Sequence, residues 1–374
     1  MKLAFLSPTY PHRGGIARYG SYLLGRLQQR HECLGIGFQK LYPPLLFPGK
    51  GELELGQLPA AGSEAQPMLH YARPSTWRRA FHEIKEFSPD CVLLTWWVSF
   101  WAPHMGWMAS RLAPSFPVFF LCHNVLPHEA RFFDPALTRW ALKHGRGFIV
   151  HSDENRRQLS AWFPQARVIR AEHPVYFSDA DFALSREKAR ERLGVSGRML
   201  LFFGFVRPYK GLDVAIEALT RLGPDLKDVM LWVSGEFWEG EERYRNLVEK
   251  HKLQNRVRIE SGYLSDADLA LRICACDGVV LPYRAATGSG ALATAYAFDC
   301  PVIATRSGCL VNMVVHGESG LLCEPGSVSS LAEAIIEFYS GDGPERFLPG
   351  VEKAKKRFTW DRIVDSVEEL LKNE

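Results

Sequence analysis

The feature that most constrains this fold is the alternation of short apolar runs with stretches of helical periodicity. Ten apolar runs recur about every 20–40 residues: "LAFLS", "CLGIGF", "CVLLTWW", "PVFFLC", "GFIV", "MLLFFGF", "VMLWVSG", "VRIE", "GVVLPY" and "PVIAT". Stretches with helical spacing lie between most of them, as at 17–27, 212–222, 247–253 and 331–338. This order predicts α/β architecture with parallel sheets and crossover helices.

The length of the chain predicts two domains, because a single core stops growing near roughly 250–300 residues and this chain has 374. The segment "RAEHPVYFSDADFALSREKARERLG" has no strand-like run and changes from proline-containing coil to a charged helix opening at Ser185. We therefore predict domains over 1–175 and 176–358. An amphipathic helix over 359–373 follows, and 39–73 is predicted to be an irregular excursion.

Composition indicates a globular protein of the cytosol, with 47% hydrophobic and 23% charged residues. No window approaches the roughly 18 apolar residues of a spanning helix, and the N-terminal apolar run is too short for a signal peptide. The eight cysteines lie mostly in apolar runs without C-x-x-C spacing, so neither a zinc site nor a disulfide framework is expected.

Charge is distributed unevenly, with a net +8 over residues 1–175 and −5 over 176–374. A basic half suggests an anionic partner, although charged faces are often simply solvated. In "TWRRAFHEIKEF" one helical face carries Trp77, Phe81 and Ile84. We expect this helix to make a peripheral contact with an anionic membrane, and three basic residues would supply the attraction: Arg78, Arg79 and Lys85.

Three strand-to-helix junctions could hold an anion, because ligands of doubly wound sheets bind where strands end and helices begin. The first is "LSPTYPHRGGIARYG", in which Gly14 and Gly15 would let a ligand approach the backbone or would simply form a turn. It is not the G-x-G-x-x-G of dinucleotide sites. The third is "LPYRAATGSGALATAYAF", where the amides of Ser289 and Gly290 could hold a phosphate, or the small residues could serve close packing.

The second junction, "LFFGFVRPYKG", places two cations where a buried strand becomes a helix. Lys210 offers a point charge and Arg207 a planar fork of donors, so both are expected to be exposed toward an anion. Exposed cations in turns are also common. In the first half His123 follows the strand "FFLC" and could bind substrate or transfer a proton, while the run "TWWVSFWAP" could line an acceptor or form core.

These motifs resemble the family 4 glycosyltransferases, retaining enzymes of the GT-B fold in which two Rossmann-like domains face each other across a cleft. The likeness rests on "P-x-x-GGI", "HN", "GFVRPYKG", "SGE", "DGVVLPY", "PVIATRSG" and "GESGLL". It implies an N-terminal acceptor-side domain, a C-terminal donor domain, and a last helix that packs back on the first domain. It also implies catalytic roles for His123, Arg207 and Lys210. The donor-binding set implied is Gly14, Gly15, Glu236, Leu264, Ser289, Gly290 and Thr294, with the base held near residues 263–265.

One departure concerns the two glutamates, eight residues apart, that the family commonly carries before "PVIAT". Their positions here hold Ala286 and Thr294. A subgroup with "RPYKG" resembles this chain in using a loop like "ATGSG", so we expect hydroxyl and backbone donors to replace the carboxylates.

The resemblance implies transfer of a sugar from a nucleotide-diphospho-sugar to an acceptor hydroxyl of a glycan or lipid, with retention and without a metal or other cofactor. No nucleic-acid partner is expected. Two alternatives stay open, a sugar-nucleotide epimerase of the same fold and a catalytically silent homologue in a glycan-assembly complex. The sequence does not name the base, the sugar, the acceptor or the linkage.

Overall fold

The computed structural model describes residues 1–43, 53, 62–127, 131–175, 184–238, 240–262, 264–286 and 288–372. The chain divides into two compact units, one formed by Met1–Glu172 with Trp360–Glu374 and the other by His173–Thr359. The chain first passes from one unit to the other between Glu172 and His173, close to the boundary predicted after residue 175. We describe each unit by itself.

The first unit is built on a parallel sheet of seven strands. The strands are β1 Lys2–Leu6, β2 Glu32–Lys40, β3 Gln66–His70, β4 Cys91–Trp96, β5 Val118–Cys122, β6 Gly147–Val150 and β7 Arg167–Arg170, in the order β3-β2-β1-β4-β5-β6-β7. The helices of this unit are α1 Gly15–Gln28, α2 Pro74–Phe87, α3 Ala102–Leu112, α4 Asp134–Leu142, α5 Asp153–Trp162 and the C-terminal α14 Trp360–Leu371.

The second unit is built on a parallel sheet of six strands. The strands are β8 Met199–Phe203, β9 Met230–Gly235, β10 Val257–Ser261, β11 Gly278–Leu281, β12 Val302–Thr305 and β13 Gly320–Cys323, in the order β10-β9-β8-β11-β12-β13. The helices are α6 Arg186–Leu193, α7 Leu212–Ala218, α8 Glu241–Lys250, α9 Asp266–Ala275, α10 Gly290–Ala297, α11 Leu310–Met313, α12 Val328–Phe338 and α13 Leu348–Lys355.

The two-residue repeat of the strands separates the faces of the second sheet. Leu201 and Phe203 of β8 belong to one apolar core, while Leu200 and Phe202 belong to the core on the opposite face. An apolar core therefore covers each face of this sheet. Because their side chains are buried on both faces, the strands have continuous apolar sequences. The predicted parallel sheets with crossover helices are confirmed.

Helix α14 packs within the first unit through an apolar stripe that includes Ile363 and Val367, both fully buried. The ring of Trp360 stacks on Tyr22 of α1 at 5.3 Å between centroids. Arg30, after α1, pairs with Asp365 at 2.7 Å. The surface that this amphipathic helix requires is thus α1 and the neighbouring sheet edge.

The structure contradicts our interpretation of α2. Its apolar face points into the core of the first unit, where Ile84 is fully buried, Trp77 is 2% exposed and Phe81 packs alongside them. The prediction that this face enters a membrane surface is therefore wrong. Trp96 and Trp101 of the aromatic run are also core residues of this unit. Within the part of the chain that the structure describes, no helix has the length and apolar character needed to cross a membrane.

Three strands, β3, β7 and β13, are missing from the ten apolar runs that we identified in the sequence. β3 lies inside the stretch 39–73 that we predicted to be irregular, and it contains Pro67. It is an edge strand, where a proline is tolerated because one side of the strand needs no ladder partner. β7 is the opposite edge of the same sheet and has only two apolar residues between arginines. β13 is an edge of the second sheet and is only four residues long.

Candidate active site

The second unit has its topological switch point between β8 and β11. From β8 the chain moves outward to β9 and β10, then returns to the other side of β8 at β11. In such sheets the ligand crevice lies at the carboxyl ends of the two strands beside the switch point. The loops that leave those ends are 204–211 and 282–289, which contain the second and third predicted junctions.

Arg284 holds these two loops together. Its backbone N–H donates to the Tyr209 carbonyl at 2.7 Å, and one guanidinium nitrogen donates to the Pro208 carbonyl at 2.7 Å. The guanidinium also forms a bidentate pair with Asp213 of α7, at 3.0 and 2.8 Å. Burial opposes ionisation of Asp213, but the hydrogen bonds and charge of Arg284 hold its pKa below the ordinary value.

Gly211 permits the close approach of the same loops. It is the N-cap residue directly before α7 and has φ of 68°, in the left-handed region that favours glycine. A Cβ added at this position would lie 2.1 Å from the Pro282 carbonyl oxygen. Any side chain at this position would therefore push the two loops apart.

Lys210 ends the 3-10 turn Pro208–Lys210, and its side chain is half-buried rather than exposed as we predicted. The ammonium lies 5.4 Å from the centroid of the Tyr283 ring. Burial, with a smaller effect of the Arg207 charge, lowers the pKa of Lys210 to about 8. Among the residues that the structure describes, no carboxylate pairs with this ammonium, so the site favours an added anion.

Arg207 is also half-buried, which corrects the expectation that it is exposed. Its guanidinium lies 5.8 Å from the centroid of the Tyr209 ring and 5.4 Å from that of Trp238. Cation–π contacts of this kind fix the plane of an arginine fork. The two predicted cations thus lie in one loop, and each is oriented by aromatic rings.

Helix α10 begins at this place with Ser289 as its N-cap. The Ser289 hydroxyl accepts from the Leu292 amide at 3.2 Å and also hydrogen-bonds the buried Tyr283 phenol, whose pKa is raised by burial. Gly290 is the first residue of the helix. The amides of this N-terminus are therefore held beside the Lys210 loop, through Tyr283, which contacts both.

The two positions that lack glutamates are buried. Thr294 is 4% exposed and its hydroxyl donates to the Gly290 carbonyl at 2.7 Å, so it has only acceptor capacity left. Ala286 is also 4% exposed, and its carbonyl accepts from the Cys309 amide at 2.9 Å. These hydrogen bonds of Thr294 and Ala286 do not test whether Thr294 contacts the donor, so that contact stays a prediction.

The remaining donor-side residues follow the other strands of this sheet. Glu236 comes directly after β9, is half-buried, and its backbone carbonyl accepts from the Val206 amide at 2.9 Å. Leu264 is half-buried in the loop between β10 and α9, two strands from β8. Tyr263 and Thr287 lie outside the described residues.

Gly14 and Gly15 begin α1 at the switch point of the first unit, between β1 and β4. Gly14 has φ of 105°, which requires glycine. Gly15 has no such requirement, and a Cβ added there would meet nothing within 4 Å. Close packing therefore does not require a glycine at position 15, and the predicted ligand contact of Gly15 stays a prediction.

His123 follows β5 and is 8% exposed. Its ring meets the edge of Tyr19 at 4.7 Å and lies 5.5 Å from the ring of His151, which follows the neighbouring β6. Burial lowers the pKa of His151 below its ordinary value, which favours the neutral form of this neighbour. Tyr19 also contacts Trp360 of α14 at 5.1 Å.

Sequence reasoning missed Asp213 and Arg284, which hold the loop that carries the predicted cations, and Tyr283, whose ring lies beside Lys210. A signal was present, because Asp213 stands in the first turn of the helix after "RPYKG" and Arg284 directly follows the apolar run "GVVLPY". The structure also shows no cluster of three or more potential metal ligands among the residues it describes.

Comparison with known proteins finds sequence relatives of the second unit. Residues 185–357 match the model of the family "Glycosyl transferases group 1". A GDP-mannose:glycolipid 4-beta-D-mannosyltransferase of Xanthomonas campestris pv. campestris is 31% identical over 193 residues, covering 51% of this chain and 50% of that protein. The chain spans about half the length of the curated relatives it matches.

Two solved structures resemble the whole chain. The sucrose-phosphate synthase of Thermosynechococcus elongatus has a TM-score of 0.74 at 18% identity, covering 99% of this chain and 98% of its own. HepE of Anabaena, solved with UDP and glucose, has a TM-score of 0.74 at 19% identity over the full length of both chains. The chain therefore has the GT-B fold, and its residues 185–357 match the glycosyl transferases group 1 in sequence.

Proposed function

We propose that this protein is a glycosyltransferase that moves a sugar from a nucleotide-diphospho-sugar to an acceptor hydroxyl. The observation that carries the proposal is Lys210, a half-buried ammonium without a carboxylate partner among the described residues, at the switch point of the second unit. A diphosphate would supply the missing negative charge. Arg207 and the N-terminus of α10 offer further donors to the same ligand.

In the proposed reaction the bond between the anomeric carbon and the diphosphate breaks while a bond to the acceptor oxygen forms. The acceptor proton passes to the leaving diphosphate, and the new bond forms on the same face, so configuration is retained. Negative charge grows on the diphosphate, and Arg207 and Lys210 stabilise it without a metal ion. The two glutamates with which the family commonly contacts the donor are absent here, and a loop of the "ATGSG" type makes these contacts instead.

We assign the acceptor to the first unit, with Gly15 and His123 as the residues to test. The Xanthomonas relative acts on a glycolipid, and HepE was solved with UDP. A glycan or lipid-linked hydroxyl is therefore the acceptor class that we propose, and a nucleoside diphosphate is the leaving group.

The test begins with a thermal-shift panel of UDP-, GDP- and ADP-sugars, since a ligand at about 100 times its Kd stabilises by about 2.7 kcal/mol. Release of nucleoside diphosphate from the donor that binds is then measured without acceptor, with and without EDTA. A transferase hydrolyses its donor slowly, and EDTA leaves the rate unchanged. Binding without any release would identify a silent homologue, and release of an altered free sugar would identify an epimerase.

A further inference from the structure

Four exposed apolar side chains gather around the start of α4. Phe132 is 96% exposed, and the N-cap Phe133 with Leu137 and Trp140 of the helix are between 36% and 44% exposed. They are spaced by four and three residues, which places them on one stripe. Four of the ten large exposed hydrophobic residues among those described thus lie within nine positions. We call these four residues the α4 patch.

The α4 patch is held in place by the fold. Asp134, 3% exposed, accepts from the Ser99 hydroxyl at 2.5 Å and from the Arg131 amide at 2.6 Å, and so fixes the turn that precedes α4. The ring of Trp140 lies against α3, where a Cβ added to Gly106 would come within 2.3 Å of it. The exposure of the α4 patch is therefore a property of a packed helix.

The surroundings of the α4 patch are basic. Between residues 97 and 147 the sequence has five basic residues and only two acidic ones, of which Asp134 is buried. Four of the basic residues are exposed on or beside α4: Arg131, Arg139, Lys143 and Arg146. The Arg131 guanidinium lies 6.0 Å from the centroid of the Phe133 ring, so charge and apolar surface are adjacent.

We infer that the α4 patch docks this protein on an anionic lipid surface. Exposed aromatic rings with a basic margin suit the boundary between headgroups and acyl chains, where the rings insert and the cations meet phosphate. A second copy of the chain is a poorer occupant, because a two-fold contact would bring the same cations together. The inference does not depend on the proposed activity, since docking requires no nucleotide.

The experiment is co-sedimentation of the full chain with vesicles of phosphatidylcholine alone or with about 30% phosphatidylglycerol, at low and at physiological salt. We expect partition to the anionic vesicles only, and weaker partition as salt increases. Phe132→Gln, at an almost fully exposed position, should lower partition about tenfold without changing the melting temperature. The double variant R139E/K143E should lower it by at least about 25-fold, since each basic residue at such a surface is worth about fivefold.

The matched control is the double variant R78E/R79E on α2, which makes the same change of net charge on another basic surface of the same unit. Its partition should stay within about threefold of the unaltered protein. Equal losses in the two double variants would reduce the effect to net charge and overturn the inference. Absence of binding to anionic vesicles at low salt would also overturn it. So would a dimer by sedimentation velocity that Phe132→Gln converts to monomer, because the α4 patch would then belong to a second copy.

Discussion

Replacing Lys210 by methionine should make the ligand-free protein more stable and make it bind nucleoside diphosphate less tightly. Burial and the Arg207 charge lower the pKa of Lys210 from 10.5 to about 8, so the charged form is disfavoured in the folded state. At about 1.36 kcal/mol per pKa unit, this fall from 10.5 to about 8 corresponds to at most about 3.4 kcal/mol. Because the side chain is only half-buried, solvent screening reduces the gain on removing the charge to about 1–2 kcal/mol.

The pH dependence of this gain has a definite sign. Between about pH 8 and 10.5 the unfolded chain holds the Lys210 proton while the folded chain has released it, so the unaltered protein gains stability as pH rises. The advantage of Lys210→Met is therefore fully present below about pH 8 and disappears above about 10.5. Diphosphate affinity should fall by about 1.5–3 kcal/mol, the range for hydrogen bonds to charged groups.

Differential scanning calorimetry and calorimetric titration of the same variant provide the assay. At pH 7 we expect the melting temperature to rise by about 2–8 °C, because each kcal/mol shifts it by about 2–4 °C in a domain of this size. Lys227→Met is the matched control, because Lys227 is exposed in the same unit. A Lys210→Met protein that melts at lower temperature and binds the nucleotide normally would refute the reasoning and make Lys210 a structural residue.

Three further substitutions test separate parts of the site. Gly15→Ala should leave melting unchanged, since its Cβ would meet nothing within 4 Å, but should lower transfer rate severalfold; unchanged kinetics would return Gly15 to a simple turn. Arg284→Met removes the bidentate pair with Asp213 and should weaken diphosphate binding by about 1 kcal/mol without any direct contact, as measured by calorimetric titration. Thr294→Val should cost about 0.5 kcal/mol of donor affinity, because the hydroxyl proton is already used by Gly290. An unchanged donor affinity would show that Thr294 serves only packing.

The parallel sheets were predictable because buried parallel strands appear in the sequence as apolar runs, and stretches of helical periodicity separate these runs. The same logic located the loop of Arg207 and Lys210 and the N-terminus of α10. It failed at three edge strands: β3 contains Pro67, β7 has two apolar residues between arginines, and β13 has only four residues. An edge strand needs fewer apolar residues, so its pattern is weak.

Burial and exposure of individual faces could not be read from periodicity alone. The amphipathic stripe of α2 and the stripe of α4 have the same spacing, yet Trp77 is 2% exposed and Trp140 is 44% exposed. Which stripe faces the core depends on how each helix packs on its neighbours. The half-burial of Lys210 likewise depends on Tyr283, more than seventy residues away.

The central claim is that the Lys210 ammonium pairs with a nucleoside diphosphate. Proton uptake on nucleotide binding tests this claim most directly. Calorimetric titrations of the nucleotide that the panel selects are run at pH 8 in buffers with different ionisation enthalpies. With the pKa of Lys210 at about 8 before binding, and raised when a diphosphate lies beside it, about half a proton should be taken up per nucleotide bound. Lys210→Met should abolish this uptake. Tight binding with no proton uptake, or with the same uptake in Lys210→Met, would contradict the account.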